Sequence, residues 1–242
     1  MVILTLAVAA TAYYINEREG ASLNPPQTHE ELIVSDKGSP TKKNSADAKV
    51  TDSSLPSALS SELTEVQFIS EEFEILRNCQ LINHRNNDGD SFHVKHGQKE
   101  TEFRLYFVDT AESQFKKYRD GNDNGKRIRE QGQYFGGLDM QVTTELGKIA
   151  KSFVTDLLAS QYFTVVTKWE DVYTPARKYC YVIVKWEDKD VYLHELLVAK
   201  GLVRIKTRGA GLPDKTNFYD QKKKLIKMEE QAKNAQQGAW GI

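Results

Sequence analysis

The hydrophobic pattern divides the chain into stretches of different texture. Residues 2–14 read VILTLAVAATAYY, a nearly unbroken apolar run. It is shorter than the ~20 residues a helix needs to cross a bilayer. It ends in the small-residue pattern Ala10-Thr11-Ala12, as the apolar core of a signal peptide does. No Lys or Arg precedes it, so an uncleaved membrane anchor is the other reading. Residues 16–54 are rich in Glu, Ser, Lys, Pro, Asn and Asp and hold no hydrophobic period, which predicts a flexible tether. Residues 55–73 mix apolar and polar positions and could form a short helix against the folded domain. The expected organisation is a leader or anchor over 1–15, a tether over 16–70 and a folded domain over 71–242. The expected location is extracytoplasmic, secreted or membrane-anchored.

From Glu74 the pattern becomes that of a globular fold. Residues 75–82 read as a strand, Asn86-Asn87-Asp88-Gly89 as a turn, and 91–95 as a second strand. After the turn His96-Gly97-Gln98-Lys99, residues 101–108 read as a third strand, completing an antiparallel meander. A polar stretch over 113–133 comes next. Helical spacing then appears at Leu146, Ile149, Ala150, Phe153, Val154, Leu157 and Leu158. Residues 162–167 and 179–186 read as two more strands. A short helix over 193–200 closes at Gly201, and a charged helix over 220–237 ends the chain. Five strands, with one helix between the third and fourth and helices at the C-terminus, predict an α+β protein that is mainly β barrel. The pattern is that of a five-stranded OB-fold Greek-key barrel.

Composition narrows the class. At 39% hydrophobic and 28% charged residues, the chain has enough apolar material for a real core. The net charge of -1 does not advertise a nucleic-acid binder, although a basic groove on one face is compatible with it. The two cysteines, Cys79 and Cys180, are too few for a disulfide scaffold and lack the spacing of a zinc site. They read as buried thiols.

Three groups of residues could carry chemistry. They are Asp88-Gly89-Asp90 in the first hairpin, Arg104 with Asp109-Thr110-Ala111-Glu112 at the end of the third strand, and Arg177 just before the fifth. Phosphodiester hydrolysis needs a carboxylate to orient water. It needs a hard cation on oxygen ligands to clamp the phosphate. It also needs guanidinium groups for the developing charge. Each residue alone has an ordinary use in turns, caps or ion pairs. Strand alternation puts Asp90 and Asp109 on core-facing rows but Arg104 on the opposite face, so a bulge or rim position is required.

These segments resemble the staphylococcal-nuclease family. Asp88-Gly89-Asp90-Ser91-Phe92 and the run from Phe103 to Glu112 are similar to its Asp-Gly-Asp-Thr turn and Arg-Leu…Asp-Thr-Pro-Glu strand end. Arg177 before Tyr179, Tyr181 and Ile183 looks like its second arginine. The run from Leu193 to Val203, and Glu230-Gln231-Ala232-Lys233 with Gly238-Ala239-Trp240, resemble its closing helices. The match covers roughly residues 74–242, in order. The resemblance implies a calcium-dependent nuclease acting on DNA or RNA as a monomer. Glu112 would be the general base, and Arg104 and Arg177 would bind phosphate. Asp90, Asp109 and the Thr110 carbonyl would hold Ca2+, with Asp88 behind them. A catalytically silent module binding nucleic acid or protein is the alternative. Ala111 replaces the family's proline. Pro175-Ala176, Thr207 and Gly209 stand where its stacking tyrosines are expected, leaving Tyr173, Tyr179 or Phe218 for that role.

Overall fold

The computed structural model describes residues 54–242. The leader expected over 1–15, and the tether as far as residue 53, lie outside the described residues. Among the described residues, no helix is long and apolar enough to cross a membrane.

The chain runs through α1 (Ser57–Ser60), β1 (Glu74–Leu81), β2 (Ser91–His96), β3 (Lys99–Leu105) and β4 (Val108–Thr110). Next come α2 (Gly125–Tyr134), α3 (Met140–Ala159), β5 (Phe163–Thr167), β6 (Asp171–Val172) and β7 (Thr174–Trp186). The rest is β8 (Lys189–Tyr192), α4 (Leu193–Ala199), β9 (Val203–Ile205), α5 (Phe218–Asn234) and a closing 3-10 turn (Gly238–Gly241).

Five strands close into a mixed barrel. β1, β2 and β3 form the expected antiparallel meander. β3 then runs parallel to β7, β7 antiparallel to β5, and β5 antiparallel to β1, which completes the ring. Two strands bend to make closure possible. In β1 the register slips between Leu76 and Cys79, and Asn78 takes φ 58; its early residues pair with β5 and its last two with β2. Such a bulge sharpens the twist of a strand. β7 is long enough to pair with β3 as far as Cys180 and with β5 from Tyr181. Phe92, Phe103, Leu105 and Cys180 lie on the interior row of the barrel, all at most 1% exposed. The alternate row of β7 carries Tyr181, which meets Tyr106, Tyr192 and His194 in an outer aromatic layer. Both cysteines are free and buried, and burial pushes the Cys79 thiol up to about 11.

The helix between the third and fourth barrel strands is longer than its apolar period suggested. It begins at Met140 because the Asp139 side chain accepts the Val142 N–H at 2.8 Å, a regular N-cap. α2 was not expected: its segment read as part of the polar stretch 113–133. Its buried face carries Ile128, Gln131 and Gly132, with a single large apolar residue to mark a period.

The strand read over 101–108 is broken. β3 ends at Leu105, and Phe107 adopts φ 68, which redirects the chain into β4. β4 leaves the barrel and pairs with β9, setting Asp109 opposite Arg204. A left-handed phenylalanine is costly. It is held by stacking on His194 and Phe218, by accepting N–H groups from Lys206 and Thr207, and by donating its own to the Arg208 carbonyl.

The folded unit also begins earlier than residue 71. Leu55 and Leu59 are buried at 8% and 1% exposure in the main core. Thr64 donates N–H and Oγ–H to Glu195 at 2.8 and 2.9 Å. The final part of the span read as tether is therefore packed, because it carries the apolar side chains that cover α5.

Candidate functional site

An open cleft of about 1290 Å³ lies at one side of the barrel. Asp88, Asp90, Arg104, Asp109, Glu112 and Arg177 all line it. Thr110 sits against it as a buried residue of β4.

The Asp-Gly-Asp turn is built from its flanks. Asn87 is buried; its Nδ2 donates to the Ile82 carbonyl at 2.7 Å, and its Oδ1 accepts the His93 N–H at 2.9 Å. Asp88 N–H donates to the Ser91 carbonyl at 2.7 Å. Gly89 is pressed onto the structure behind it: a Cβ there would lie 2.6 Å from Thr110 Cγ2 and 3.2 Å from the α3 backbone. Asp90 then faces inward. Its Oδ2 accepts the Thr110 N–H at 2.9 Å and its Oδ1 the Ser91 hydroxyl at 2.8 Å.

Arg104 joins the two aspartates. One terminal nitrogen donates to Asp109 Oδ1 at 2.7 Å and lies 3.3 Å from Asp90 Oδ2. The other reaches Asp90 Oδ1 at 3.3 Å and Ser91 Oγ at 3.2 Å. The parity problem of the third strand is solved by Phe107, whose positive φ breaks the two-residue alternation between Arg104 and Asp109.

Asp109 is saturated. Arg104 and Arg127 both donate to Oδ1 at 2.7 Å, while Arg204 donates to Oδ2 at 2.7 Å and Gln131 to Oδ2 at 3.2 Å. Burial acts to raise this carboxyl's pKa, but Arg127, Arg204 and Arg104 outweigh it and hold the group below the usual carboxylate range. Asp88 lies at the other extreme. Burial first, and the neighbouring Asp90 charge second, push it up to about 7.

Glu112 is held by α2. Its Oε1 lies 2.6 Å from Arg127 Nε, its Oε2 accepts from Asn124 at 3.3 Å, and its N–H donates to Gln131 Oε1 at 2.9 Å. Asn124, Arg127 and Gln131 fall at i, i+3 and i+7, on one face of the helix. Asn124 makes no side-chain cap bond to its own helix, because its side chain serves Glu112, the Gln114 carbonyl and the Lys116 N–H. Arg177 is placed inside β7 rather than ahead of it, opposite Glu102. It is loosely held, 3.4 Å from Ser91 Oγ and 3.5 Å from Glu102, with no hydrogen bond made by its Nε.

The sequence reading missed Arg127, Gln131, Asn124 and Arg204. Arg204 lies on a three-residue strand, too short to show alternation. For α2 the available signal was the recurrence of Arg127, Ile128 and Gln131 on one helical face.

Of the three aromatic residues considered for stacking, Tyr179 is buried against Tyr106 and Phe218 is stacked on Phe107. Tyr173 is 96% exposed at the cleft. Gly209 leaves no room for a tyrosine: a Cβ would stand 2.3 Å from the Phe107 ring and 2.5 Å from Phe218.

The donor set suits a hard cation: two carboxylates and the Thr110 carbonyl, all oxygen. The Thr110 hydroxyl beside them is buried without a hydrogen-bond partner. Among the described residues no three His, Cys, Asp or Glu side chains converge as a metal cage, so waters would complete the shell. No protein-family model matches the chain, and no curated protein matches it.

Proposed function

We propose that the chain is a calcium-dependent nuclease of the staphylococcal-nuclease type, built on an OB-type barrel, that hydrolyses phosphodiester bonds of DNA or RNA. The barrel order β1-β2-β3-β7-β5, with a parallel β3–β7 pair and α3 between β3 and β5, supports the OB reading. The observation that carries the functional reading is convergence. Asp90, Arg104 and Asp109 touch one another, Arg127 links Asp109 to Glu112, and Arg177 shares Ser91 with Arg104. These side chains span more than 80 positions of sequence and line one cleft.

Each residue then has a task. Glu112 orients and deprotonates the attacking water. Arg177, its side chain 30% exposed and held only by long contacts to Ser91 and Glu102, is available to a phosphate oxygen, and Arg104 lines the same cleft from the paired strand. Both stabilise the phosphorane-like transition state. Asp90, Asp109 and the Thr110 carbonyl would hold Ca2+, with Asp88 behind them; the bound cation supplies Lewis-acid stabilisation of the phosphate oxygens. Tyr173, exposed at the rim, is the residue placed to stack on a base. The apolar leader supports an extracytoplasmic or membrane-tethered site of action.

The test is cleavage of unlabelled DNA and RNA by the purified protein with Ca2+ and with chelator. Cleavage is expected only with Ca2+. Glu112→Gln is expected to lower the rate by about 10²–10⁴, and Arg177→Ala by roughly 10²–10³. Protein that retards DNA in a gel but never cuts it would instead be a binding module.

A further inference from the structure

We infer that Arg127 is a displaceable latch: it closes the site by bridging Asp109 and Glu112, and a cation reaching Asp109 must open it. The inference rests on the calcium reading above and assigns a task to a residue outside that reading.

The argument starts from the capacity of one carboxylate. An ionised Asp offers about four lone-pair sites on two oxygens. At Asp109 four donors fill them: Arg104 and Arg127 on Oδ1, Arg204 and Gln131 on Oδ2. A cation can bind that carboxylate only if a donor leaves. Three of the four cannot leave cheaply. Gln131 is fully buried and also donates to the Thr110 carbonyl at 2.9 Å. The Arg204 side chain is 8% exposed, on a strand paired directly with β4. The Arg104 side chain is 12% exposed and tied to Asp90 and Ser91 as well. A buried charge or amide stripped of its partners is strongly disfavoured. Arg127 differs. Its side chain is 44% exposed, on the first turn of α2, and its head can move into water.

The same guanidinium holds Glu112 through Nε at 2.6 Å. Departure of Arg127 from Asp109 therefore loosens its grip on Glu112 in the same motion. Cation entry and release of the base become one event. In the closed state the base is ion-paired and the Asp109 oxygen that Arg127 occupies is closed to a cation, so the resting protein is protected from cutting without metal. Asn124 and the Gln131 contact to the Glu112 N–H keep the Glu112 backbone and side chain in place when the latch opens.

The test is calorimetric titration of CaCl2 into the full chain, wild type beside Arg127→Gln and Arg127→Lys, at low ionic strength. Removing a competing positive charge within a few ångströms of the cation should tighten binding by about tenfold or more. Arg127→Gln is thus expected to bind Ca2+ at least about tenfold more tightly than wild type. Arg127→Lys, which keeps a charge but cannot bridge two acids, is expected between them. A second readout is the thermal midpoint. Arg127→Gln is expected to melt lower than wild type in chelator and to gain more from saturating Ca2+. A merely structural role gives the opposite sign, weaker Ca2+ binding in the variant. Equal or weaker binding in Arg127→Gln overturns the latch, and if that variant does not fold, binding by Arg127→Lys no tighter than wild type does the same. No Ca2+ binding by any of the three proteins overturns the calcium reading itself.

Discussion

Gly147 sits within α3, where alanine would ordinarily favour the helix by about 1 kcal/mol. Here the preference is reversed. A Cβ at Gly147 would stand 2.5 Å from the Glu112 carbonyl oxygen and 2.6 Å from that of Ala111. Both obstacles are backbone, so either the helix or the Glu112 segment must shift. Overpacking of this kind costs roughly 1–3 kcal/mol. Gly147→Ala is therefore expected to lower unfolding stability in urea by about that amount, and, on the proposed nuclease reading, to slow cleavage because Glu112 moves with its backbone. An alanine variant as stable as wild type would show that this contact is soft. The same crowding holds at Gly209: the Phe107 and Phe218 rings fill the space that a side chain would need.

Among the elements, the segment before β1 binds the molecule more tightly than its polar composition suggests. Glu195 is 0% exposed, yet ionised, because it accepts from Thr64, Gln221 and Lys224. Burial works against that charge, but Lys224 and the other donors outweigh it and keep the carboxyl below its usual range. Removing Thr64 takes two of those donors away, and removing Leu55 and Leu59 uncovers the core beneath α5. A chain beginning at residue 71 is expected to melt at a markedly lower temperature than one beginning at 54. The Leu59→Ala change alone should cost about 2–5 kcal/mol. Identical melting curves for the two chains would mean that the segment is an ornament of the fold. α2 shows the converse case. It adds little apolar burial, with Ile128 its one large buried apolar residue, and spends its inner face on Asn124, Arg127 and Gln131.

Over the whole molecule, the layer outside the barrel couples pH to stability. His194 is fully buried between Phe107, Tyr181, Tyr192 and Gln221, with Glu195 and Lys224 as the nearest charges. Burial lowers its pKa from the ordinary 6.5 to about 4. A base with a depressed folded pKa contributes stability above its unfolded value, and this is lost as pH falls from 6.5 toward 4. Lowering the pH from 7 to 5 is therefore expected to cost about 2 kcal/mol through this ring. Urea unfolding of wild type and His194→Gln at several pH values checks it. Asp88, pushed up to about 7, gives an opposite slope that both proteins share. It is therefore the stability difference between them that should change by about 2 kcal/mol from pH 7 to 5, and a difference that does not change with pH would assign the effect elsewhere.

Local pattern determined much of this protein by itself. The period-two rows of β2, β3, β5 and β7, the turn at Asn86–Gly89 and the 3.6-residue period of α3 are properties of adjacent side chains, so they are visible in order along the chain. The positions of Asp90, Arg104, Asp109, Glu112 and Arg177 were visible as ordered motifs, but not that they meet. That was decided by Phe107, whose strained φ turns the chain out of the barrel and brings Arg104 and Asp109 to one side. It was decided also by α2 and β9, which are too polar or too short to announce themselves and yet deliver Arg127, Gln131 and Arg204 to Asp109. A guanidinium reaching a carboxylate across 95 positions of sequence leaves no local periodicity, because the force that joins them acts only once the barrel has brought them together.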